Sequence, residues 1–200
     1  MNITMAERQS HGFSYQDIII NRYGLSRIDP HTGKELKYTD KWDAYYGLIP
    51  VQIKDKKKGG NVELADLCRQ SETTENFLLL VGFWKGCKTN IIEEHILYIN
   101  GQDWHSQFDP NLIKEYKNLI HEITNDKSDD KKWTESINLL RKKWKENTSY
   151  LIVPRPKRDH GSQKRVQCAI NSVNFYKYFI SKYEESDFFE RHNKIIGTEK

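Results

Sequence analysis

Hydrophobic and polar positions recur along this chain with two periods, and each period predicts a kind of element. Phe13, Gln16, Ile20 and Tyr23 fall at i, i+3, i+7 and i+10, one stripe of a helix over Phe13–Tyr23. Ser14 with Asp17 reads as its capping pair and Gly24 as its stop. Gln16 is the polar member of that stripe. Between Lys41 and Lys54 the pattern predicts two strands folded about Gly47; in the second, Ile49, Val51 and Ile53 alternate with Pro50, Gln52 and Lys54. A basic turn follows at Lys56-Lys57-Lys58-Gly59-Gly60, then a short helix over Val62–Gln70. The unbroken apolar run within Asn76–Trp84 predicts a strand buried on both faces, and Ile91–Ile99 another strand. Asp109-Pro110 stands in cap-then-first-turn order and opens a helix reaching about Thr124. After a charged break at Asn125–Lys132, Trp133, Ile137, Leu140 and Trp144 mark a second helix. Strands over Tyr150–Val153 and Arg165–Ile170 flank a basic loop, Pro154–Gln163. A helix over Asn174–Tyr183 closes the fold, and the last dozen residues read as a frayed tail.

This order predicts an α/β or α+β fold, a central mixed β-sheet flanked by helices. The 200 residues fit one domain, with a core over about 12–100 and, over about 105–185, helices and a basic β-hairpin. Hydrophobic content is only 36%, but 8 Phe, 11 Tyr and 5 Trp supply bulk for a core. No apolar run approaches the roughly 18 residues of a membrane span, and no basic-then-apolar leader opens the chain. Membrane and secreted classes are therefore not expected. Cys68, Cys87 and Cys168 are odd in number and widely spaced, which points to reduced thiols in a cytosol. The histidines show no zinc-ligand spacing, and neither GxxxxGK[ST] nor GxGxxG occurs.

The hairpin about Gly47 carries the chemistry. Side chains alternate along a strand, so Gln52 and Lys54 share one face, and folding at Gly47 brings Asp43 towards it. A carboxylate, an amide oxygen and an ammonium would then share one pocket. Asp43, Gln52 and the Ile53 carbonyl are hard oxygen donors of the kind Mg²⁺ takes while keeping several waters. Lys54 is placed to orient or deprotonate an attacking water and to stabilise charge on a phosphorane. Each residue also has a plainer reading: Asp43 as a turn residue, Lys54 and Gln52 as solvated strand positions, Gln16 as an ordinary helix residue.

The spacing of Asp43, Gln52 and Lys54, D-x8-QxK, resembles the PD-(D/E)xK nuclease superfamily in the variant where Gln replaces the second acidic residue. Trp42 stands where that pattern has Pro, and a second carboxylate would come from elsewhere, with Glu63 and Asp55 as candidates. The resemblance covers about residues 12–100. It implies a restriction-endonuclease-like fold, Mg²⁺ as cofactor, and Gln16 supplied to the site by the preceding helix.

Net charge is +4, from 32 basic and 28 acidic residues, which is mildly favourable to a polyanion. Lys56, Lys57 and Lys58 follow the catalytic strand and are placed to hold a substrate backbone. Arg155, Lys157, Arg158, Lys164 and Arg165 gather around one loop, where His160, Ser162 and Gln163 add groups suited to base edges. The cluster Arg141, Lys142, Lys143 and Lys145 reads more plainly as a solvated helix face. The combined expectation is a sequence-specific endonuclease resembling small type II restriction enzymes, in a prokaryotic cytoplasm or on the nucleoid. One active site per chain implies a homodimer on duplex DNA. Rival expectations are a repair or junction-resolving nuclease of the same fold, a non-catalytic DNA-binding protein, and an interaction protein whose aromatic residues simply pack.

Overall fold

A computed structural model describes residues 15–37, 40–125, 130–146, 150–158 and 164–197. Helix α1 (15–23) comes first, then strands β1 (Ala44–Tyr46), β2 (Ile49–Lys57) and β3 (Val62–Asp66) and the short helix α2 (Leu67–Ser71). Strands β4 (Phe77–Trp84) and β5 (Ile91–Ile99) precede helices α3 (Gly101–His105), α4 (Pro110–Asn125) and α5 (Asp130–Glu146). Strands β6 (Ile152–Arg158) and β7 (Lys164–Ile170) follow. A helical run then comprises α6 (Ser172–Asn174), a π-helical segment (Phe175–Ile180) and α7 (Ser181–Tyr183), before α8 (Phe188–Gly197).

The architecture is mixed α/β, built on two sheets. The larger has the order β1-β2-β4-β5, with β2 parallel to β4 and the other pairs antiparallel; the smaller is antiparallel in the order β3-β7-β6. Gly47 turns β1 into β2 with φ of 57°, a conformation that costs a side-chain-bearing residue energy. A parallel neighbour cannot be reached by a tight turn, so β3 and α2 form the crossover from β2 to β4.

Strand β4 divides two cores, as its unbroken apolar run predicts. Leu78 and Leu80 join Val51, Ile53 and Ala44 on one face, covered by Tyr15, Ile19 and Ile20 of α1 and by Phe188 and Phe189 of α8. Phe77, Leu79, Val81 and Phe83 join the larger core on the other face, with Trp104, Tyr116, Trp144, Val166, Cys168 and Phe175. The chain passes between these layers at the edge of β5, where Glu184 bridges to Leu97 and the Glu185 N–H donates to the Ile96 carbonyl (2.8 Å).

Several sequence expectations need correction. Val62–Asp66 is a strand, with Val62 and Leu64 alternately buried, and the helix starts only at Leu67, where the Asp66 carboxylate accepts from the N–H groups of Cys68 and Arg69. Much of the expected basic loop is β6. Its prolines, Pro154 and Pro156, are tolerated because β6 is an edge strand and needs no N–H from them. The tail is helix α8, held by Phe188 and Phe189. Helix α3 was not anticipated. Ser14, the expected cap of α1, lies outside the described residues, and the buried side of that helix is Tyr15, Ile19 and Ile20, with Gln16 half-buried beside it. No helix among the described residues is long and apolar enough to cross a membrane.

Gln70 is fully buried, and neither of its side-chain polar atoms has a hydrogen-bond partner among the described residues. Stranding polar groups in this way costs about 1–3 kcal/mol. Gln70→Met keeps the length of the side chain and removes that cost, so it should raise stability by about 1 kcal/mol or more. A urea midpoint equal to or below that of the native protein would refute this expectation.

Candidate active site

Asp43 lies just before β1, and its N–H still donates to the Val51 carbonyl (2.9 Å), continuing the ladder beyond the strand. Further along β2 the pairing with β1 has run out, and the Ile53 N–H is taken by a side chain: Oδ2 of Asp43 accepts it at 2.7 Å. The same oxygen accepts from Nζ of Lys54 (3.0 Å), while Oδ1 accepts from Nε2 of Gln16 on α1 (3.1 Å). Asp43, Lys54 and Gln16 are thus in direct contact. The Asp43 and Lys54 side chains remain 23% and 22% exposed, so the ion pair is sheltered but open to solvent on one side.

Gln52 is fully buried, because both faces of β2 are covered at this point; it does not occupy a wet face. Its Nε2 donates to the carbonyl of Lys41 (3.3 Å), two residues before Asp43. Its Oε1 is buried with no partner among the described residues. Exchanging the amide's O and N would set two oxygens against each other at Lys41, so the unpartnered atom is the oxygen. In a strand a residue's N–H and C=O face the same neighbour, which puts the Ile53 carbonyl on the edge that Asp43 caps.

The other proposed carboxylates do not join this group. Glu63 pairs with Lys56 (3.1 Å), and Asp55 follows Lys54 on the opposite face of β2. Among the described residues no three His, Cys, Asp or Glu side chains come together as a metal cluster. The oxygens at this hairpin end are the Asp43 carboxylate and, on the edge it caps, the Ile53 carbonyl; the Gln52 amide lies on the face of β2 that Lys54 shares.

The expected basic contacts are distributed unevenly. Lys56 and Lys57 belong to β2, and only Lys58 lies in the turn. Lys57 is exposed, whereas Lys58 pairs with Glu93, donates to the Tyr176 hydroxyl (3.0 Å) and lies over the Tyr176 ring (4.7 Å). Arg155, Lys157 and Arg158 are on β6, and Lys164 and Arg165 on β7. His160, Ser162 and Gln163 lie outside the described residues.

Two polar clusters were not foreseen. On the face of β5 that looks towards the larger core, His95 is held by Glu93 through Nε2 (2.6 Å) and by Glu184 through Nδ1 (2.7 Å). Phe83, Phe175 and Tyr176 ring its imidazole. On the opposite face, Glu94 accepts from Tyr15 (3.1 Å), Tyr23 (2.7 Å) and Arg22 (3.0 Å). Burial, reinforced by Glu94, pushes the Tyr15 hydroxyl far above the ordinary tyrosine range, so it stays a donor. The sequence signal was the Glu93-x-His95 spacing, which puts both residues on one side of a strand. The thiols take no comparable part. Burial, with Asp66 nearby, pushes Cys68 up to about 11, and burial raises Cys168 well above its ordinary value, so both remain protonated. Comparison with known protein families, with curated proteins and with solved structures finds no match for this chain.

Proposed function

We propose that this chain is a Mg²⁺-dependent endonuclease that hydrolyses phosphodiester bonds of duplex DNA. The observation that carries this reading is the meeting of Asp43, Lys54 and Gln16 at the end of a hairpin, with Gln52, whose Oε1 is buried without a partner among the described residues, on the same face of β2 as Lys54. Leaving that oxygen without a donor or a cation costs about 1–3 kcal/mol, so the site favours an occupant that takes a lone pair. Asp43, Gln52 and the Ile53 carbonyl fit an ion that prefers oxygen and keeps waters of its own. When bound there, Mg²⁺ supplies an acidified water and neutralises charge on the phosphate.

The chain's own residues do the rest. Asp43 fixes Lys54 by accepting from its Nζ, and is itself fixed by Gln16 and the Ile53 N–H, so the ammonium is oriented before substrate arrives. Nζ then faces the phosphodiester, orients the attacking water and stabilises the charge that builds on the phosphorane oxygens. One site per chain cuts one strand, and a symmetric pair of chains on a palindromic sequence would cut both.

The single carboxylate favours one second reading, a DNA-binding protein without catalysis, since a site with less negative charge holds a divalent ion less tightly. Incubation of the purified chain with supercoiled plasmid separates the two. The nuclease reading expects nicked and linear DNA with MgCl₂ and none with EDTA, with discrete fragments marking sequence specificity and preference for a branched substrate marking a junction-resolving enzyme. No metal-dependent cutting across a broad panel of DNA substrates leaves only the binding reading.

A further inference from the structure

The carboxylate of Glu94, on β5, takes donors from three residues of helix α1, and their spread along the helix gives it a task. Tyr15 in the first turn donates to Oε2 (3.1 Å), Tyr23 in the last donates to Oε1 (2.7 Å), and Nη1 of Arg22 donates to both oxygens at 3.0 Å. Burial, with Glu94 beside them, raises both hydroxyls above the ordinary tyrosine range, so both stay donors. The Tyr15 ring reaches Glu94 by crossing β4 at Gly82, which stands opposite Glu94 and has no side chain in the way. The helix is pinned near both of its ends to one point on the sheet.

Keeping α1 on the sheet does not require this. Ile19 and Ile20 are already buried against the smaller core, but apolar burial is non-directional and leaves a helix free to roll or slide a little. Hydrogen bonds have directions, and bonds from the two ends of a helix to one carboxylate fix roll and slide together. Gln16, the neighbour of Tyr15, feels the result. Strand β5 is one edge of the larger sheet and the hairpin that Asp43 leads into is the other, so α1 is held by Glu94 at one side and holds Asp43 at the other. The Gln16 bond to Oδ1 of Asp43 is 3.1 Å long. That is near the long end of the usual range of about 2.7–3.2 Å, so a displacement of a few tenths of an ångström breaks it. Asp43 would then keep only the donors at Oδ2, the Ile53 N–H and Nζ of Lys54, and its carboxylate would be free to turn.

We propose that Glu94 is a positioning residue for the cleavage site: it sets the roll of α1, so that Gln16 holds the Asp43 carboxylate turned towards Lys54. The inference rests on the nuclease reading for its consequence, yet the positioning itself is read without metal or DNA.

Two measurements test it. The first is the side-chain amide NMR signal of Gln16 in an isotope-labelled chain, assigned by its loss in Gln16→Ala. Glu94→Gln keeps the shape of the side chain, removes its charge and turns one acceptor into a donor. It should move the Gln16 signal towards the position it takes in Asp43→Ala, where the amide has no carboxylate to meet. The second is a double-variant cycle in Mg²⁺-supported cleavage. Glu94→Gln and Gln16→Ala should each lower the single-turnover rate by about tenfold, with DNA affinity within about twofold of native. In the Gln16→Ala background, Glu94→Gln should cost less than about twofold more, because the residue through which it acts is gone. A carboxylate that only held the fold together would cost the same in both backgrounds. Should Glu94→Gln unfold, Tyr23→Phe removes one donor to Glu94 while keeping the ring stacked on Phe189 (4.1 Å), and the same two readings apply. An unmoved Gln16 signal, or losses that simply add in the cycle, overturns the proposal. A chain that cuts no DNA removes the nuclease reading, and the Gln16 signal still decides whether Glu94 fixes Gln16 on Asp43.

Discussion

Lys54→Met is expected to lower Mg²⁺-supported DNA cleavage by about 10²–10⁴-fold while leaving DNA affinity within a few-fold. The side chain keeps its length, but the ammonium that donates to Asp43 Oδ2 at 3.0 Å is gone. Asp43 retains the Ile53 N–H and Gln16 as donors, so the hairpin end stays formed. Asp43→Asn makes the complementary change: the amide oxygen can still accept from Ile53, but the negative charge that would hold a cation is removed. Both variants should therefore melt close to the native temperature and fail in chemistry. Single-turnover cleavage, followed beside anisotropy and thermal melting, gives the comparison. A Lys54→Met protein that cuts within about threefold of the native rate removes this residue from the mechanism.

Gly82→Ala should destabilise the fold by about 3 kcal/mol, at the upper end of the usual cost of overpacking. A Cβ at this position would lie 2.4 Å from Cζ and Oη of Tyr15, far inside contact distance. Tyr15 has little room to move. It is 4% exposed, its hydroxyl is tied to Glu94, and it anchors α1 over the smaller core. For a chain of this size the loss corresponds to a fall in melting temperature of about 6–12 °C. Gln16 is the next residue on α1, so displacing Tyr15 also disturbs the donor to Asp43. Tyr15→Ala removes the ring that the new methyl would strike, and the double variant should be less destabilised than the two single changes added together. Unchanged melting of Gly82→Ala refutes the packing argument.

What the sequence made legible was what short range decides. The Gly47 hairpin, the doubly buried β4 and the proline-led start of α4 each follow from a few neighbouring residues, and the hairpin carries Asp43 and Lys54 to the same place. Strand β3 escaped because it has five residues, runs straight into a helix and finds its partner β7 about a hundred positions later. Pro154 and Pro156 argued against a strand, and only the knowledge that β6 is an edge reconciles them with one. The burial of Gln52 was invisible for a related reason. Alternation predicts which side of β2 a residue faces, but not that both sides are covered by elements remote in sequence. The His95 group was hidden in the same way, since Glu184 reaches it from 89 positions away.

The passage of the chain around the edge of β5 has a consequence for how the molecule comes apart. Phe175 and Phe179 lie in the larger core just before Glu184 and Glu185, and Phe188 and Phe189 in the smaller one just after. This short seam therefore helps the shared sheet lace the two layers together, and neither layer can loosen without tugging the other. The molecule should come undone as one cooperative unit rather than shedding one layer at a time.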